Sequence, residues 1–356
     1  MEDKRYEWID AVKGIAILGV VLVHSMGGMD LPYVLEAICL LGERGVQIFF
    51  IVAAYLAYGS FAKNQKKGKS NIDWLKGRVR RIAPAYYIAL AIGLFFLGGP
   101  TCWVGIVEKV SIGNVVAHIL FLHGLSPYYI NSLLGIEWYL ADYAILVLLI
   151  PLLYKMINSF EKAMAFLVCS SIGSYLFVLI SGNWSIITDE KLWDIYIGSF
   201  GFLAQLPIMA LGIVLYFILN ISSIWESCKN KKLVSYALLI GSIYCVAIMI
   251  AGVSFKGLTI QTVYGGILFF FVLSQAIHGC PLVVNRFWRE LGKYSYIIYL
   301  FHYFFFMGFD HFFGKYVDYS LTTWVIRLVF VLGLSYGLAF VAGWIKNMAK
   351  SRKRET

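Results

Sequence analysis

The chain has 356 residues, of which 60% are hydrophobic and only 14% are charged. A soluble domain cannot bury that much apolar surface, so the composition predicts an α-helical protein that crosses a lipid bilayer several times. The net charge of +10 is concentrated in basic clusters beside apolar segments, with no soluble domain around them. This arrangement argues against nucleic acid as a partner.

Ten apolar segments are predicted to span the membrane. They lie at about 10–27, 45–61, 82–99, 137–154, 163–182, 195–219, 233–253, 259–280, 294–312 and 322–345. The basic clusters test this count, because positively charged loops face the cytoplasm. The densest cluster, Lys63 to Arg81, holds eight basic residues and one acid. With ten spans every cluster falls on one side, so we expect an all-α polytopic membrane protein with about ten transmembrane helices and both termini cytoplasmic.

The short segment Asn114–Leu125 cannot cross the membrane in this arrangement. We predict a re-entrant or interfacial piece on the outer side, because an eleventh span there would place the basic cluster at 229–232 outside. No internal repeat or linker marks a second domain. Residues 1–356 are therefore predicted to form a single membrane domain, with a core of about 7–346 and a basic cytoplasmic tail at 347–356.

The first apolar segment carries three polar side chains at informative positions. Ionisable groups inside membrane helices are costly, so each is a functional hypothesis. Asp10 and Lys13 are three residues apart and can pair on one helix face, or they can simply anchor the helix at the interface. Lys13 and His24 lie close to three helical turns apart and share a face, roughly 16 Å from each other along the axis. His24 is either a packing histidine or a general base, since imidazole can activate a hydroxyl near neutral pH.

A second motif, GRVRRIAP, places Arg78 and Arg81 on one helix face just after Lys76. Planar guanidinium groups bind phosphates in bidentate fashion. A nucleotide-containing cofactor that arrives from the cytoplasm would meet these side chains first. The alternative is plain anchoring by positive charge, which we accept for the lysines of 63–69.

Candidate residues for an acceptor site on the outer side lie in the long loop at 100–136 and directly after it. Glu137 places a carboxylate beside Trp138 and Tyr139 at the start of a span, and His123 lies in the loop before it. With His118, Tyr128 and Tyr129 of the same loop, His123 can line a sugar site, but an ordinary interfacial aromatic belt explains the loop equally well. For Glu137 and Trp138 the alternative is a helix N-terminal acid followed by a belt tryptophan.

A second histidine, His302, lies midway along a later span, in LGKYSYIIYLFH, and it is either a packing residue or a functional one. His278 and His311 lie at span ends and are interpreted as structural. The sequence carries no metal-ligand spacing, nucleophile-elbow motif, phosphate-binding loop or dinucleotide fingerprint.

Taken in order, these motifs resemble those of the acyltransferase 3 family of integral membrane acyltransferases. The matching stretches are WIDAVKGIAILGVVLVHS, RGVQIFFIVAAYL, GRVRRIAP, IEWYL and LGKYSYIIYLFH. The resemblance runs from about residue 7 to 310 and implies ten helices with cytoplasmic termini, in agreement with the charge distribution. It also implies transfer of an acyl group, most often acetyl from acetyl-CoA, to a carbohydrate or lipid hydroxyl.

By this resemblance His24 is the catalytic base, Lys13 occupies the family's basic position, and Arg78 and Arg81 hold the CoA phosphates. The candidates that assist the base are Asp10, Glu137 and His302. Lys76 is a candidate for a further phosphate ligand. The candidates for the sugar site are Trp138, Tyr139 and His123.

The chain departs from the family pattern at three places. Lys13 stands where many members have arginine, and Ala53-Ala54 replaces a common Ser-Gly. Asp142-Tyr143 follows Trp138 at about the distance where many members have glutamate, so either Glu137 or Asp142 serves in that role, or neither does.

The sequence thus predicts a multi-pass O-acetyltransferase of the cell (inner or plasma) membrane that uses no metal. Its partners would be acyl-CoA, the lipid bilayer and a carbohydrate or glycolipid acceptor such as exopolysaccharide, O-antigen or lipid-linked sugar. A transporter or flippase for a glycan or lipid intermediate is the main alternative, although no pseudo-symmetric halves with broken spans are evident. A membrane assembly or sensing subunit is a third interpretation.

Overall fold

The computed structural model describes residues 4–96, 110–182, 184–220, 230–250 and 260–355, and all regular structure in those ranges is helical. The α-helices are α1 Lys4–Ser25, α2 Tyr33–Leu41, α3 Gly45–Lys66, α4 Asn71–Phe96, α5 Ile112–Ile119, α6 Trp138–Met156, α7 Phe160–Ser181, α8 Glu190–Ile195, α9 Phe202–Asn220, α10 Lys231–Ile250, α11 Ile260–Ile277, α12 Arg286–Lys293, α13 Ser295–Phe313 and α14 Leu321–Glu355. Short 3₁₀ turns lie at Gly42–Arg44 and His123–Leu125, and a π-helical turn lies at Tyr196–Phe200. The first part of the predicted outer loop, 100–109, lies outside the described residues, as do Lys229 and the predicted span ends at 97–99, 251–253 and 259.

Each of the ten predicted spans coincides with one of these helices. In the described parts of the chain, six stretches are long and apolar enough to cross a membrane: Glu7–Ser25, Tyr33–Lys66, Trp138–Met156, Phe160–Ser181, Glu190–Asn220 and Leu321–Ile345. An all-helical membrane protein is therefore confirmed. The count of ten spans and the cytoplasmic position of the termini stay predictions.

Two helices extend further than the apolar pattern predicted. α4 begins at Asn71, well before the predicted span start at 82, because Ser70 caps it by accepting a hydrogen bond from the Ile72 backbone N–H at 3.1 Å. The basic residues from Lys76 to Arg81 are therefore helical. α14 continues to Glu355, so that the predicted basic tail is also helical over 347–355.

Contacts along the chain define two compact units, residues 1–46 with 280–356 and residues 47–279. In the first unit, α1 packs closely against neighbouring backbone at glycine positions, where a larger side chain would collide with a main-chain carbonyl. A Cβ at Gly14 would meet the carbonyl oxygen of Trp288 on α12, and a Cβ at Gly45 would meet the carbonyl of Ala16. Small residues let helix backbones approach closely where lipid supplies no hydrophobic drive.

The second unit is organised around α9, whose residues from Ala204 to Leu215 are almost all buried. A Cβ at Gly212 would meet the carbonyl oxygen of Ile51 on α3, which indicates another close helix crossing. The Tyr58 hydroxyl of α3 donates to the carbonyl of Ile157 at the end of α6.

The short helix α5 has eight residues and a length of about 12 Å, which is too short to cross a bilayer. The Tyr87 hydroxyl of α4 donates to the carbonyl of Ile119 at 2.8 Å, and the Tyr86 ring lies 4.9 Å from that of Phe121. Both tyrosines lie near the middle of α4, which continues about 15 Å beyond them to Phe96. The segment thus lies beside the middle of α4, and its re-entrant position in the membrane stays a prediction.

Candidate functional site

In the first unit, α1 and α12 bring two sequence motifs together. The carbonyl oxygen of Asp10 occupies the space that a Cβ at Gly292 would take, just as the Trp288 carbonyl does at Gly14. Both members of this backbone contact must therefore be glycine. The motif around Asp10 and the motif around Gly292, far apart in sequence, form one helix pair.

Asp10 and Lys13 form the ion pair that their spacing predicted, with Lys13 Nζ 2.7 Å from Asp10 Oδ1. Both side chains are partly exposed. A neighbouring pair joins Glu7 of α1 to Arg289 of α12, at 2.5 Å. The Lys13 charge is therefore balanced by Asp10 yet accessible to a ligand.

His24 lies near the C-terminal end of α1, against α13. Its ring centroid is 5.2 Å from that of His302 and 5.6 Å from that of Tyr303. His24 is partly accessible whereas His302 is fully buried. The structure thus pairs the two histidines that were predicted to matter in the spans, and His24 is the more exposed of the two.

The hydrogen bonds of His302 define its tautomer. Its Nδ1 lies 3.1 Å from the carbonyl oxygen of Ile298 and 2.8 Å from that of Tyr299. Carbonyl oxygens only accept, so Nδ1 carries the proton and donates it. Nε2 is then a bare acceptor in the neutral ring, and it is buried with no hydrogen-bond partner among the described residues.

The residue after His24 is held by α14. The Arg327 guanidinium donates from Nη1 to the carbonyl oxygen of Ser25 at 2.5 Å, and the Trp324 indole N–H donates to the Ser25 hydroxyl at 2.8 Å. The Ser25 hydroxyl in turn donates to the carbonyl of Leu22 at 2.6 Å. The last turn of α1 is therefore fixed on both its main chain and its side chain.

Arg327 also forms a two-pronged ion pair with Asp310 of α13, with Nε to Oδ1 at 2.8 Å and Nη2 to Oδ2 at 2.5 Å, and its charge lies over the Phe306 ring at 4.5 Å. His302, Phe306 and Asp310 are spaced by four residues and share one face of α13. Our sequence reasoning missed Arg327 and Asp310. Both residues could have been noticed from the sequence, because each is an ionisable residue inside or near the end of a predicted span.

In the second unit, Glu137 organises the turn that leads into α6. Its carboxylate is fully buried and accepts from the backbone N–H groups of Leu133, Leu134 and Ile136 at 2.7, 3.0 and 2.9 Å. His118 Nε2 lies 3.2 Å from the same carboxylate. Burial alone raises the pKa of Glu137, but the hydrogen bond and charge of His118 and the backbone donors hold it below its ordinary value of 4.5.

His123, a predicted sugar contact, is buried against His118, with ring centroids 4.2 Å apart. Its Nε2 donates to the Glu137 carbonyl at 3.4 Å, which leaves Nδ1 buried with no partner among the described residues. Burial, together with the charge of His118, lowers the pKa of His123 to about 3. His123 is therefore a neutral ring at physiological pH.

Trp138 and Tyr139, the other predicted sugar contacts, are partly exposed aromatic side chains at the start of α6. The Phe50 ring lies 5.7 Å from that of Trp138 and 4.8 Å from that of Tyr139, and the Phe200 ring lies 4.9 Å from that of Trp138. Asp142, one turn further along α6, is fully buried, and neither carboxyl oxygen has a hydrogen-bond partner among the described residues.

The three basic residues predicted to bind phosphates differ in their surroundings. Lys76 and Arg81 are exposed. The Arg78 guanidinium donates to the Ser60 hydroxyl and to the carbonyl of Leu56, the latter at 3.2 Å, and lies over the Trp74 ring. An apolar cavity of about 150 Å³ lies beside Arg78, between α4 and α6.

No group of three or more His, Cys, Asp or Glu side chains in the described parts of the chain is arranged to hold a metal ion. The apolar helices with buried polar side chains define an integral membrane protein that carries polar sites within its helical bundle. The family model for an acyltransferase domain matches residues 6–344, and the chain belongs to this acyltransferase 3 family. No curated protein and no solved structure matches the chain. The protein is therefore a membrane acyltransferase.

Proposed function

We propose that this protein transfers an acetyl group from cytoplasmic acetyl-CoA to a hydroxyl of a cell-envelope carbohydrate or glycolipid, with His24 as the general base. The observation that supports the proposal is the pairing of a partly exposed imidazole, His24, with a buried one, His302. A base that is shielded from bulk water but open to its substrate is what hydroxyl activation requires.

In the proposed reaction, His24 takes the proton of the acceptor hydroxyl as its oxygen attacks the thioester carbonyl. The C–S bond breaks, and the CoA thiolate leaves with the proton that His24 returns. The products are the acetyl ester and free CoA thiol. A variant route passes through a transiently acetylated His24, and both routes need the same imidazole.

The donor is proposed to place its phosphates on basic side chains. Lys76 and Arg81 support this role because they are exposed, and Lys13 supports it because it is partly exposed beside Asp10. Arg78 retains donor capacity beyond its bonds to Ser60 and Leu56, since a guanidinium carries five N–H groups.

The acceptor is proposed to lie against Trp138 and Tyr139, whose partly exposed rings sit in an aromatic cluster suited to a sugar ring. His123 and Glu137 are buried, so they are proposed to stabilise this surface rather than to contact the acceptor. The positive charge around the helices supports a location in the cell membrane with cytoplasmic termini.

The decisive experiment replaces His24 by alanine in the full chain. Membranes that carry the protein and their own envelope glycans are supplied with radiolabelled acetyl-CoA, and both free thiol and label on the glycans are measured. We expect His24→Ala to abolish both signals. His311→Ala is the matched control, because His311 is an exposed histidine at the end of α13, and it should retain full activity.

Full transfer by His24→Ala would refute the assignment of the base. Glycan movement without thiol release would instead support a transporter.

A further inference from the structure

We propose that Arg327 is a positioning residue that holds the last turn of α1, and with it the His24 imidazole, in its reactive geometry. This inference rests on the proposed function of His24 as the base. It concerns a residue on α14 that lies outside every sequence motif discussed above.

The burial of Arg327 requires an explanation. Its exposed fraction is 3%, and it lies in Leu321–Ile345, a stretch long and apolar enough to cross a membrane. An arginine in that setting is strongly unfavourable unless its charge and its N–H donors are satisfied. An apolar residue of similar volume often serves stability equally well. The contacts of Arg327 therefore point to a role other than stability.

Those contacts join three helices at one point. One edge of the guanidinium binds Asp310 of α13 through two hydrogen bonds, and Nη1 binds the carbonyl of Ser25 on α1. The C-terminal carbonyls of a helix lack partners within the helix and form the negative end of its dipole. Arg327 thus supplies a hydrogen-bond donor and a positive charge to the C-terminal end of α1. The carbonyl that it binds belongs to Ser25, the residue directly after His24.

The chain beyond Ser25 is shaped around the same side chain. Gly27 has a φ of +37°, and a Cβ there would lie 2.9 Å from the Arg327 Nη atoms. The backbone N–H of Asp30 then donates to the carbonyl of Tyr319, just before α14, at 2.8 Å. The turn that follows His24 is therefore built to accept the guanidinium, and the fit depends on glycine at position 27.

The consequence for His24 is geometric. α13 presents His302 to the His24 ring and, two turns further on, Asp310 to Arg327. Arg327, which binds both α13 and α1, therefore helps to fix the distance between the His24 main chain and the His302 ring. A base displaced by about 1 Å can lose on the order of a hundredfold in rate.

The test uses Arg327→Met, which keeps side-chain length and removes the donors. Asp310 is left without its partner, but its side chain is half exposed, at 51%, and lies near the C-terminal end of α13, so the fold should survive. With acetyl-CoA as donor and native membranes as the source of acceptor, we expect kcat to fall at least tenfold. The KM for acetyl-CoA should stay within twofold, and the melting temperature of the purified protein should change little.

A second readout does not depend on transfer. Diethyl pyrocarbonate modifies accessible neutral imidazoles, and mass spectrometry gives the rate at each histidine. In Arg327→Met we expect the rate at His24 to rise severalfold, because the last turn of α1 is released. Arg289→Met is the matched control, since it removes a partly exposed arginine that pairs with Glu7 at the other end of α1, and it should leave both readouts unchanged.

Arg327→Lys keeps the charge but cannot bind Asp310 and Ser25 with the same geometry, so it should recover kcat only in part. If Arg327→Met fails to fold, Asp310→Asn tests the same link, because it weakens the anchor while Arg327 stays; it should lower kcat and raise the His24 labelling rate. Unchanged kcat and labelling in the folded Arg327 or Asp310 variant would overturn the positioning role. Full activity of His24→Ala would instead overturn the proposed function on which it rests.

Discussion

The imidazole rings of His24 and His302 lie 5.2 Å apart, although one belongs to the first helix of the chain and the other to the second-last described. The bare Nε2 of His302 has no hydrogen-bond partner among the described residues, and His24 is the more exposed member of the pair. The proposed base, His24, therefore lies beside a second imidazole whose Nε2 is available as an acceptor.

The contact between α1 and α12 should tolerate no side chain at its centre. Gly292→Ala would drive a methyl group into the Asp10 carbonyl, so we expect a loss of about 1–3 kcal/mol in the free energy of unfolding, with reduced transfer. Thermal unfolding in detergent measures the loss. Gly308→Ala is the control on α13, because no described atom lies within 4 Å of a Cβ at that position, and a similar loss there would contradict our account.

Glu137 should prove necessary for stability through its three backbone bonds. Glu137→Ala removes the acceptor of Leu133, Leu134 and Ile136 from a buried turn, and each buried N–H left unpaired costs about 1–3 kcal/mol. We expect a lower melting temperature for Glu137→Ala, a smaller decrease for Glu137→Gln, and none for the exposed Glu190→Ala. A normal melting temperature combined with lost transfer would indicate a direct chemical role for Glu137.

The pKa of His123 predicts how stability depends on pH. Its folded-state pKa of about 3 lies below the ordinary value of 6.5, so between these values the unfolded chain binds a proton that the folded one does not. The contribution of His123 to the free energy of unfolding is therefore fully present above pH 6.5. As the pH drops below 6.5, this contribution decreases by up to about 1.4 kcal/mol per pH unit. Melting temperatures of His123→Gln, recorded from pH 7.5 to pH 5, should fall less steeply than those of the wild type. Equal slopes would show that His123 already carries a proton in the folded state.

The two arginines of the GRVRRIAP motif should behave differently. Arg81→Ala removes an exposed charge, so we expect a higher KM for acetyl-CoA with unchanged stability. Arg78→Ala should raise that KM and also lower the melting temperature, because Ser60 and Leu56 lose a donor. Arg80→Ala, an exposed neighbour outside the predicted site, is the control. A KM unaffected by both Arg78→Ala and Arg81→Ala would remove this motif from the donor site.

Local features were predictable because they depend on neighbours in sequence. The helices follow from long apolar segments, and the Asp10–Lys13 ion pair follows from a spacing of three residues on a helix. The start of α4 at Asn71 did not follow from the apolar pattern, because a helix can continue through charged residues, where hydropathy no longer marks its end. The Ser70 cap decides that limit.

The long-range contacts were not predictable in the same way. Nothing in the local sequence connects Arg327 with Ser25, or Glu137 with His118. The spacing His302, Phe306, Asp310 marks one face of α13 but does not say which helix that face meets.

The sequence by itself determined that the chain is helical and lies in a membrane, because lipid leaves the backbone no hydrogen-bond partners except its own. It also identified His24 as an imidazole on the face of α1 that carries Lys13. Only the tertiary structure decided that His24 is paired with His302 and that its helix end is held by Arg327. Those contacts depend on close approaches between helices, such as the one at Gly14 and Gly292. Such approaches form between segments that are distant in sequence, so the local sequence does not reveal them.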